Sequence, residues 1–503
     1  YKFNACERLP EMGAIVRKKI YLISPPAGEK RRNYPLSLMF LHSYLIKNGI
    51  RSEVLDCDVL RWRLQDLVSY LESNKAEMVG ITGYTYSRFR AYETIRAIKS
   101  RLPECKIVVG GRHFSSLAGE TIKRLKEVDF VVKGEGEITL RELCEAIDTK
   151  RSFSDVHGLA FRENKNIICN PDRPLCQDID SVHYDLKDFD DIKGKYSFIS
   201  TMRRFPTNKG FSVLAGRGCP GSCVFCSLSS QRVRLRKVEK VLAEIEDLIK
   251  KTGVRNVSFG DPTLTASKKY LVELCEGILR KKLDIKWHCY SRVDVPSEIF
   301  ELMKKAGCVS CDIALESASL RVLEAIKKHI KVEDVARCVE KLHELGIKSF
   351  IFAMISLPDE RVEDAEMTIR FLEKYAPIID GASLAITQIF PDAALYGIAK
   401  ERNLLPPDFN LFDDYHNEYY DRTNLRSTAP FYIEHLSPDY IQHIRGRFEK
   451  LHLERFYDTE RFKSELRKSL GPFLFNWKDQ TLRSKLKKVK KGMVRLGRII
   501  KDR

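Results

Sequence analysis

The chain has 503 residues, 43% of them hydrophobic and 31% charged, and its 87 Lys and Arg against 69 Asp and Glu leave a net charge of +18. That length predicts about three units at ~100–200 residues per domain, and the composition is that of a globular protein able to bury a sizeable core. No run of about 18 apolar residues occurs, which excludes a membrane-spanning helix, and the charged opening "YKFNACERLPEMGAIVRKK" lacks the apolar centre of a signal peptide. A cytoplasmic setting is expected. Of the fourteen cysteines most stand alone in apolar patterns such as "IKWHCYS" and "LVELCEGIL", where a reduced thiol serves as a small hydrophobe.

Residues 1–17 are read as an N-terminal extension. From 18 to 147 short β-branched runs alternate with helix-patterned stretches: "KIYLIS", "SEVLDCD", "MVGIT", "KIVVGG" and "VDFVVKG" are the expected strands. Five strands buried on both faces predict an α/β fold with a doubly wound parallel sheet, whose ligand binds outside the carboxyl ends of the strands. The segments just past those ends are "SPPAG", "TGYTYS", "GGRH" and "KGEGE", rich in small residues that let a ligand approach the backbone. Their other reading is tight turns alone.

Residues 148–200 look like a hairpin followed by an extended connector. From 201 to 400 the alternation resumes, with strands expected at "FSVLA", "VRNVSFG", "IKWHCYS", "CVSCDIALE", "IKSFIFAMIS" and "ASLAITQIF". Six strand-helix units predict a partial (β/α)6 barrel with its chemistry at the carboxyl ends of the strands. Residues 401–503 read as a mostly helical C-terminal region. It ends in a basic amphipathic helix, with Leu482, Leu486, Val489, Met493, Leu496 and Ile500 on one stripe.

The densest motif is "GRGCPGSCVFCS", in which Cys219, Cys223 and Cys226 follow the first barrel strand with spacing C-x3-C-x2-C. Structural zinc takes four ligands, and Cys308 with Cys311 could complete a set. Strand geometry argues otherwise, because residues three apart point to opposite faces. An iron-sulfur cluster held by three thiolates leaves one iron open to a substrate.

This loop resembles that of the radical S-adenosylmethionine (SAM) enzymes, and "SFGDPTLT", "WHCYSRVD", "AGCVSCDIALESAS", "FAMISLPDERVEDAEMTIRF" and "ITQIFPDAALY" continue the resemblance downstream. Upstream, "VGITGYTYS", "VVGGRHFSSLAGE" and "VDFVVKGEGEITLREL" resemble, in order, the cobalamin (B12)-binding domain that precedes the barrel in one subfamily, the class B methylase type, with its Rossmann/flavodoxin-like fold. The resemblance implies a [4Fe-4S] cluster on Cys219, Cys223 and Cys226. It implies SAM beside Phe225, Arg292, Glu316 and Asp261. Cobalamin would lie against Thr82, Gly83, Gly110, Gly111, His113, Gly134, Glu135 and Gly136. For Arg292 and Glu316 a structural ion pair is the competing role, and for His113 a capping or surface one. No D-x-H-x-x-G occurs in residues 18–147, so the resemblance implies cobalt without a histidine ligand from the protein.

The function implied is reductive cleavage of SAM to a 5′-deoxyadenosyl radical and methylation of an unactivated carbon or phosphorus through methylcobalamin. The alternative keeps both cofactors but rearranges, cyclises or couples carbon skeletons. RNA modification is a third reading. It would bring a second cysteine triad and an RNA-binding β-barrel, neither of which the sequence contains, and nucleic acid is not an expected partner. The expected partners are a small-molecule, peptide or lipid substrate and an external electron donor of flavodoxin or ferredoxin type. The terminal helix either docks peripherally on an anionic membrane at its inner face or folds back as a solvated helix. "DDYHNEYYDR" either lines a pocket or is a polar surface segment.

Overall fold

A sheet of seven strands comes first: β1 (Val16–Ser24), β2 (Ile50–Asp56), β3 (Met78–Thr82), β4 (Lys106–Gly110), β5 (Phe130–Val132), β6 (Leu159–Glu163) and β7 (Asn166–Cys169), in the order β2-β1-β3-β4-β5-β6-β7. The computed structural model describes residues 16–26, 35–185, 188, 210–407, 409–413 and 429–456. The basic stripe at 482–500, all but Asp413 of "DDYHNEYYDR" and the last two residues of "SPPAG" lie outside them.

β1 to β5 run parallel. Both faces are covered, which is why their sequences are continuous apolar runs and not alternating ones. Val79, Ile81, Ile107 and Val109 point into one core with Leu67 and Leu71 of helix Leu64–Ser73 and with Ala91, Ile95 and Ile98 of helix Arg88–Arg101, all at most 2% exposed. Met78 on the other face meets Cys144 of helix Gly136–Thr149, their sulfurs 3.9 Å apart. Each such buried Val, Leu or Ile contributes about 1.5–3 kcal/mol.

The expected hairpin exists, but it is part of this sheet. β6 pairs antiparallel with β5, and β7 with β6, through a two-residue turn in which Asn164 and Lys165 are both left-handed (φ 46° and 72°). The short β5 would otherwise be an open edge, and the hairpin covers it. The first sheet therefore runs to Cys169, past the boundary expected at 147.

The second sheet holds β8 (Phe211–Val213), β11 (Asn256–Phe259), β12 (Lys286–Ser291), β13 (Cys308–Glu316), β14 (Lys348–Ile355) and β15 (Gly381–Ile386), in the order β15-β14-β13-β12-β11-β8. All neighbours are parallel and successive in sequence, and β8 does not pair with β15, so this is the open six-stranded barrel expected. Amphipathic helices close its outer face: in Val332–Glu344, Val335, Cys338, Val339 and Leu342 recur at three- and four-residue steps and are buried. Between β8 and β11, β9 (Gly216–Cys219) and β10 (Gln231–Leu235) form a separate antiparallel hairpin that the sequence pattern did not suggest.

The C-terminal region is not separate from the barrel at residue 401. The described residues up to Phe448 form one compact unit. Phe431 bridges to Gln388, and Leu436, Ile441 and Ile444 pack with Ile355, Ile369 and Ile386. No described helix is long and apolar enough to cross a membrane.

Candidate active site at the cluster loop

The β9–β10 hairpin presents the three cysteines. Gly218 is left-handed (φ 97°), and a Cβ there would lie 2.3 Å from the Arg232 carbonyl, so only glycine allows the two strands to close. Cys219 ends β9, and the loop then folds on itself: Cys226 N–H donates to Cys223 O (3.2 Å), Ser229 N–H to Cys226 O (3.1 Å), and Leu228 N–H to Cys226 Sγ (3.4 Å). It is fastened to the barrel by Val224 N–H to Ile326 O (3.1 Å) and Leu395 N–H to Val224 O (2.8 Å). All three cysteines are half-buried. Burial pushes the Cys223 and Cys226 thiols up, and the neighbouring thiols add to the effect.

Tetrahedral zinc, with Zn–S of ~2.3 Å, would draw its sulfurs to within about 3.8 Å of one another. Among the described residues the group whose ligand atoms all lie within 4.8 Å is Asp359, Glu434 and His435, not the three thiols. Arg402 already occupies that acidic group, with Nη1 3.0 Å from Asp359 and 2.6 Å from Glu434. Three half-buried thiols on one loop, not all gathered within 4.8 Å of one another, leave room for a cluster in which each binds a different iron.

The alternative zinc pair is placed differently from the strand argument. Cys308 Sγ and Cys311 Sγ are 3.8 Å apart and share a face. Successive residues Trp287 and His288 of β12 face Cys308 and Ser310 of β13, so the skipped Val309 is a bulge that shifts the alternation by one. Both thiols are nonetheless at most 1% exposed, and Cys311 also meets Cys289 at 3.9 Å. They are core residues, near the amino end of β13, whereas the cluster loop follows the carboxyl end of β8.

The four residues expected around SAM divide. Glu316 ends β13 with φ 61° and is 7% exposed; Lys328 Nζ lies 3.1 Å from its Oε1. Burial alone would pull Lys328 down, but Glu316 and the Cys223 and Cys219 thiols hold it above the ordinary lysine value. Lys328 is thus a site residue the sequence reading missed, since nothing in "IKKHI" distinguishes it from its exposed neighbour Lys327. Phe225 packs against the cluster of Val322, Leu323, Ile326 and Leu357. Arg292 follows β12 as expected, but its guanidinium pairs with Asp294 (2.8 Å) and is 37% exposed.

Asp261 has a structural role in place of the expected exposed one: its carboxylate is 4% exposed and accepts from Ala215 N–H (2.9 Å), bracing the backbone that leads into the cluster loop. Burial pushes it up to about 7.

In the first sheet the strand order reverses between β1 and β3, which makes the ends of these two strands the ligand-binding crevice. Thr82 and Gly83 lie there. A Cβ on Gly83 would fall 2.4 Å from the Phe114 ring, so this glycine admits Phe114. Gly111 packs on Thr82 and Gly83, and Gly136 on Leu41 and Val132. Gly110 ends β4, and Gly134 (φ 67°) opens the turn after β5. Tyr84 and Tyr86, stacked at 5.3 Å with planes 6° apart, are 37% and 63% exposed at the crevice.

His113 departs from the cobalamin expectation, and Glu135 is found paired within the protein. His113 is fully buried, with Nε2 2.6 Å from Tyr92 Oη and Nδ1 3.3 Å from Thr85 Oγ1, because the short helix after "GG" turns it into the core. Burial lowers it to about 3. Glu135 is gripped by Arg234 from the hairpin, at 2.9 and 2.7 Å.

That grip joins the two halves. Arg217 lies 2.6 Å from Glu137 and 3.3 Å from Glu135, with its guanidinium 4.7 Å from the Phe40 ring. Arg112, just past β4, donates to Ser227 O (2.7 Å) and lies 3.5 Å from Asp392, which accepts from Ser227 Oγ (2.6 Å). The ligand end of the sheet thus abuts the cluster loop.

An open cluster loop on a partial barrel, docked against the ligand end of a doubly wound sheet, defines a radical SAM enzyme with a second cofactor domain. The sequence matches the Radical SAM superfamily over residues 213–372 and a B12 binding domain over residues 30–144. An uncharacterized methyltransferase of Pyrococcus horikoshii is 31% identical over 400 residues, 77% of this chain and 84% of that protein. The anaerobic magnesium-protoporphyrin IX monomethyl ester cyclase of Rubrivivax gelatinosus is 27% identical over 376 residues, 72% and 65% of the two chains. The fold is that of the radical SAM methyltransferase TsrM from Kitasatospora setae, solved with cobalamin and a [4Fe-4S] cluster, with a TM-score of 0.61 at 20% identity over 76% of this chain and 78% of that one. The chain belongs to the cobalamin-binding radical SAM enzymes, whose cofactors are a [4Fe-4S] cluster, SAM and cobalamin.

Proposed function

We propose that this enzyme transfers a methyl group from cobalamin to an unactivated carbon, or to phosphorus, of a small apolar molecule. The observation that carries the reading is the direct contact of Arg112, from the cobalamin sheet, with Ser227 beside Cys226, which brings two cofactor ends to one place. The 31% identical methyltransferase supports it. When bound, the cluster with SAM supplies a carbon-centred radical and cobalamin supplies the methyl group.

The chain's own share is placement and exclusion of water. Cys219, Cys223 and Cys226 would hold the cluster. The Glu316–Lys328 pair beside Cys223 offers a carboxylate and an ammonium to SAM's polar groups, and Phe225 an apolar flank. Thr82, Gly83, Tyr84 and Tyr86 would hold cobalamin, with the stacked tyrosines as an aromatic wall for its flat ring.

The barrel's inner face suits an apolar substrate. In β14, Ile355 packs with the helical cover, so Phe350, Phe352 and Met354 face inward, and they are only half-buried. Tyr290 stacks on Phe352 at 6.2 Å. A lipid substrate delivered at an anionic membrane, and reduction by a flavodoxin or ferredoxin, are the partner readings consistent with this face and with the basic sequence at 482–500.

Anaerobic reconstitution with iron, sulfide and cobalamin, followed by visible spectroscopy, is the first test. Failure to retain cobalamin would overturn the methylase reading. Incubation with methyl-deuterated SAM and small apolar acceptors then separates the chemistries. A product heavier by one labelled methyl supports transfer, whereas an unlabelled rearranged or cyclised product supports the reading that the cyclase relative favours.

A further inference from the structure

The cluster loop is fastened to the cobalamin sheet on both sides of its cysteines. Upstream, Arg217 stands two residues before Cys219 and reaches Glu137 and Glu135, while Arg234, opposite it in the hairpin register, makes a two-pronged bond to Glu135. Downstream, Ser227 directly follows Cys226 and is held through its carbonyl by Arg112 and through its hydroxyl by Asp392. The partners leave from equivalent places in the sheet: Arg112 from the end of β4, and Glu135 and Glu137 from the turn after β5.

The upstream contacts are not ordinary surface ion pairs, whereas Arg112 is 39% exposed and its firm contact is the 2.7 Å bond to the Ser227 carbonyl. Arg234 is 4% exposed, Arg217 16% and Glu137 7%, and Arg234 Nη1 also donates to Cys176 O (2.8 Å), in the segment linking sheet and barrel. A planar guanidinium bound by two prongs fixes direction as well as distance, which an ammonium cannot do. Such rigidity matters where an error of about 1 Å costs about 100-fold in rate.

We propose that Arg217, Arg234, Glu135, Glu137 and Arg112 are positioning residues, two charged staples that set the spacing between the cluster loop and the cobalamin face. The inference rests on the cofactor assignment above and is independent of which substrate is methylated. The staples touch neither SAM nor substrate; they act by holding the loop that carries the cysteines.

The test uses the full chain loaded with a reduced cluster and cob(II)alamin, and reads the separation of the two spins by pulsed electron paramagnetic resonance. The parent is expected to give one narrow distance. Arg234→Lys, which keeps the charge, and Glu135→Gln should keep iron and cobalamin contents at parental levels but lose that single distance. The double variant should lose less than the sum of the two singles, because both remove the Arg234–Glu135 bonds. Arg112→Gln should do the same through the other staple, so the test survives if one variant fails to fold. Glu72→Gln, which removes the exposed pair with Arg101 (2.7 Å) within the first domain, should leave the distance unchanged.

A purely structural role would lower the melting temperature and leave the distance narrow, and that result overturns the proposal. A parent chain that retains no cobalamin overturns the proposed function and the staples with it. Retained cobalamin with one narrow distance in every variant overturns the staples alone.

Discussion

Replacing Lys328 by Met keeps the aliphatic stem in place and strands the carboxylate of Glu316. The two groups are 3.1 Å apart, with side chains 17% and 9% exposed. At an effective dielectric of about 20 their attraction is about 332/(20 × 3.1), or ~5 kcal/mol, and removing one partner of a buried pair costs about 3–5 kcal/mol. Lys328→Met should therefore lower stability by ~3–5 kcal/mol and reduce iron per chain, since Glu316 and Lys328 border Cys223. Glu316→Gln combined with Lys328→Met leaves no charge behind and should recover most of the lost stability. The lysine's raised value means its contribution is fully present below the ordinary lysine value of about 10.4 and is lost only above it, so the parental pair is intact at about pH 8, where the deficit should be measured. Urea unfolding followed by circular dichroism, under anaerobic conditions, measures the stabilities, and a colorimetric iron assay of the reconstituted chain measures the iron. Parental stability in Lys328→Met, or a double variant no better than the single, would refute the reasoning.

Alanine at Cys308 or Cys311 should leave the iron content and cluster absorbance of the reconstituted chain intact, while alanine at Cys219, Cys223 or Cys226 should abolish both. Glu360, 1% exposed, is pushed up by burial from 4.5 to about 8. The unfolded chain ionises first, so parental stability falls as pH rises between these values. The advantage of Glu360→Gln in urea unfolding should accordingly grow from under about 1 kcal/mol at pH 5 to roughly 3 kcal/mol at pH 7. A parallel pH dependence of the two would show that Glu360 titrates normally. His113→Leu should destabilise the chain, because Tyr92 Oη and Thr85 Oγ1 lose a buried partner, yet leave the cobalt hyperfine pattern of bound cob(II)alamin unchanged. A changed pattern would mean that His113 reaches the cofactor.

What the sequence determined by itself was whatever is encoded by local pattern. The β-branched run Met78–Thr82 could only be a buried strand, and the same logic placed all eleven parallel strands of the two sheets within a few residues. C-x3-C-x2-C is a local motif on one loop, so its three ligands needed no long-range information. Tertiary structure decided what depends on partners distant in the chain. The resemblance put His113 and Asp261 beside cofactors, but side-chain direction there is set by packing: Phe114 and Tyr92 draw His113 inward, and Ala215 N–H claims Asp261. The Val309 bulge reversed an alternation argument that holds only for regular strands. Glu135 and Arg234, 99 residues apart, and Arg112 and Asp392, 280 apart, carry no mutual signal in one sequence. A charged side chain looks alike whether it is solvated or paired, and only folding reveals which carboxylate desolvates which guanidinium.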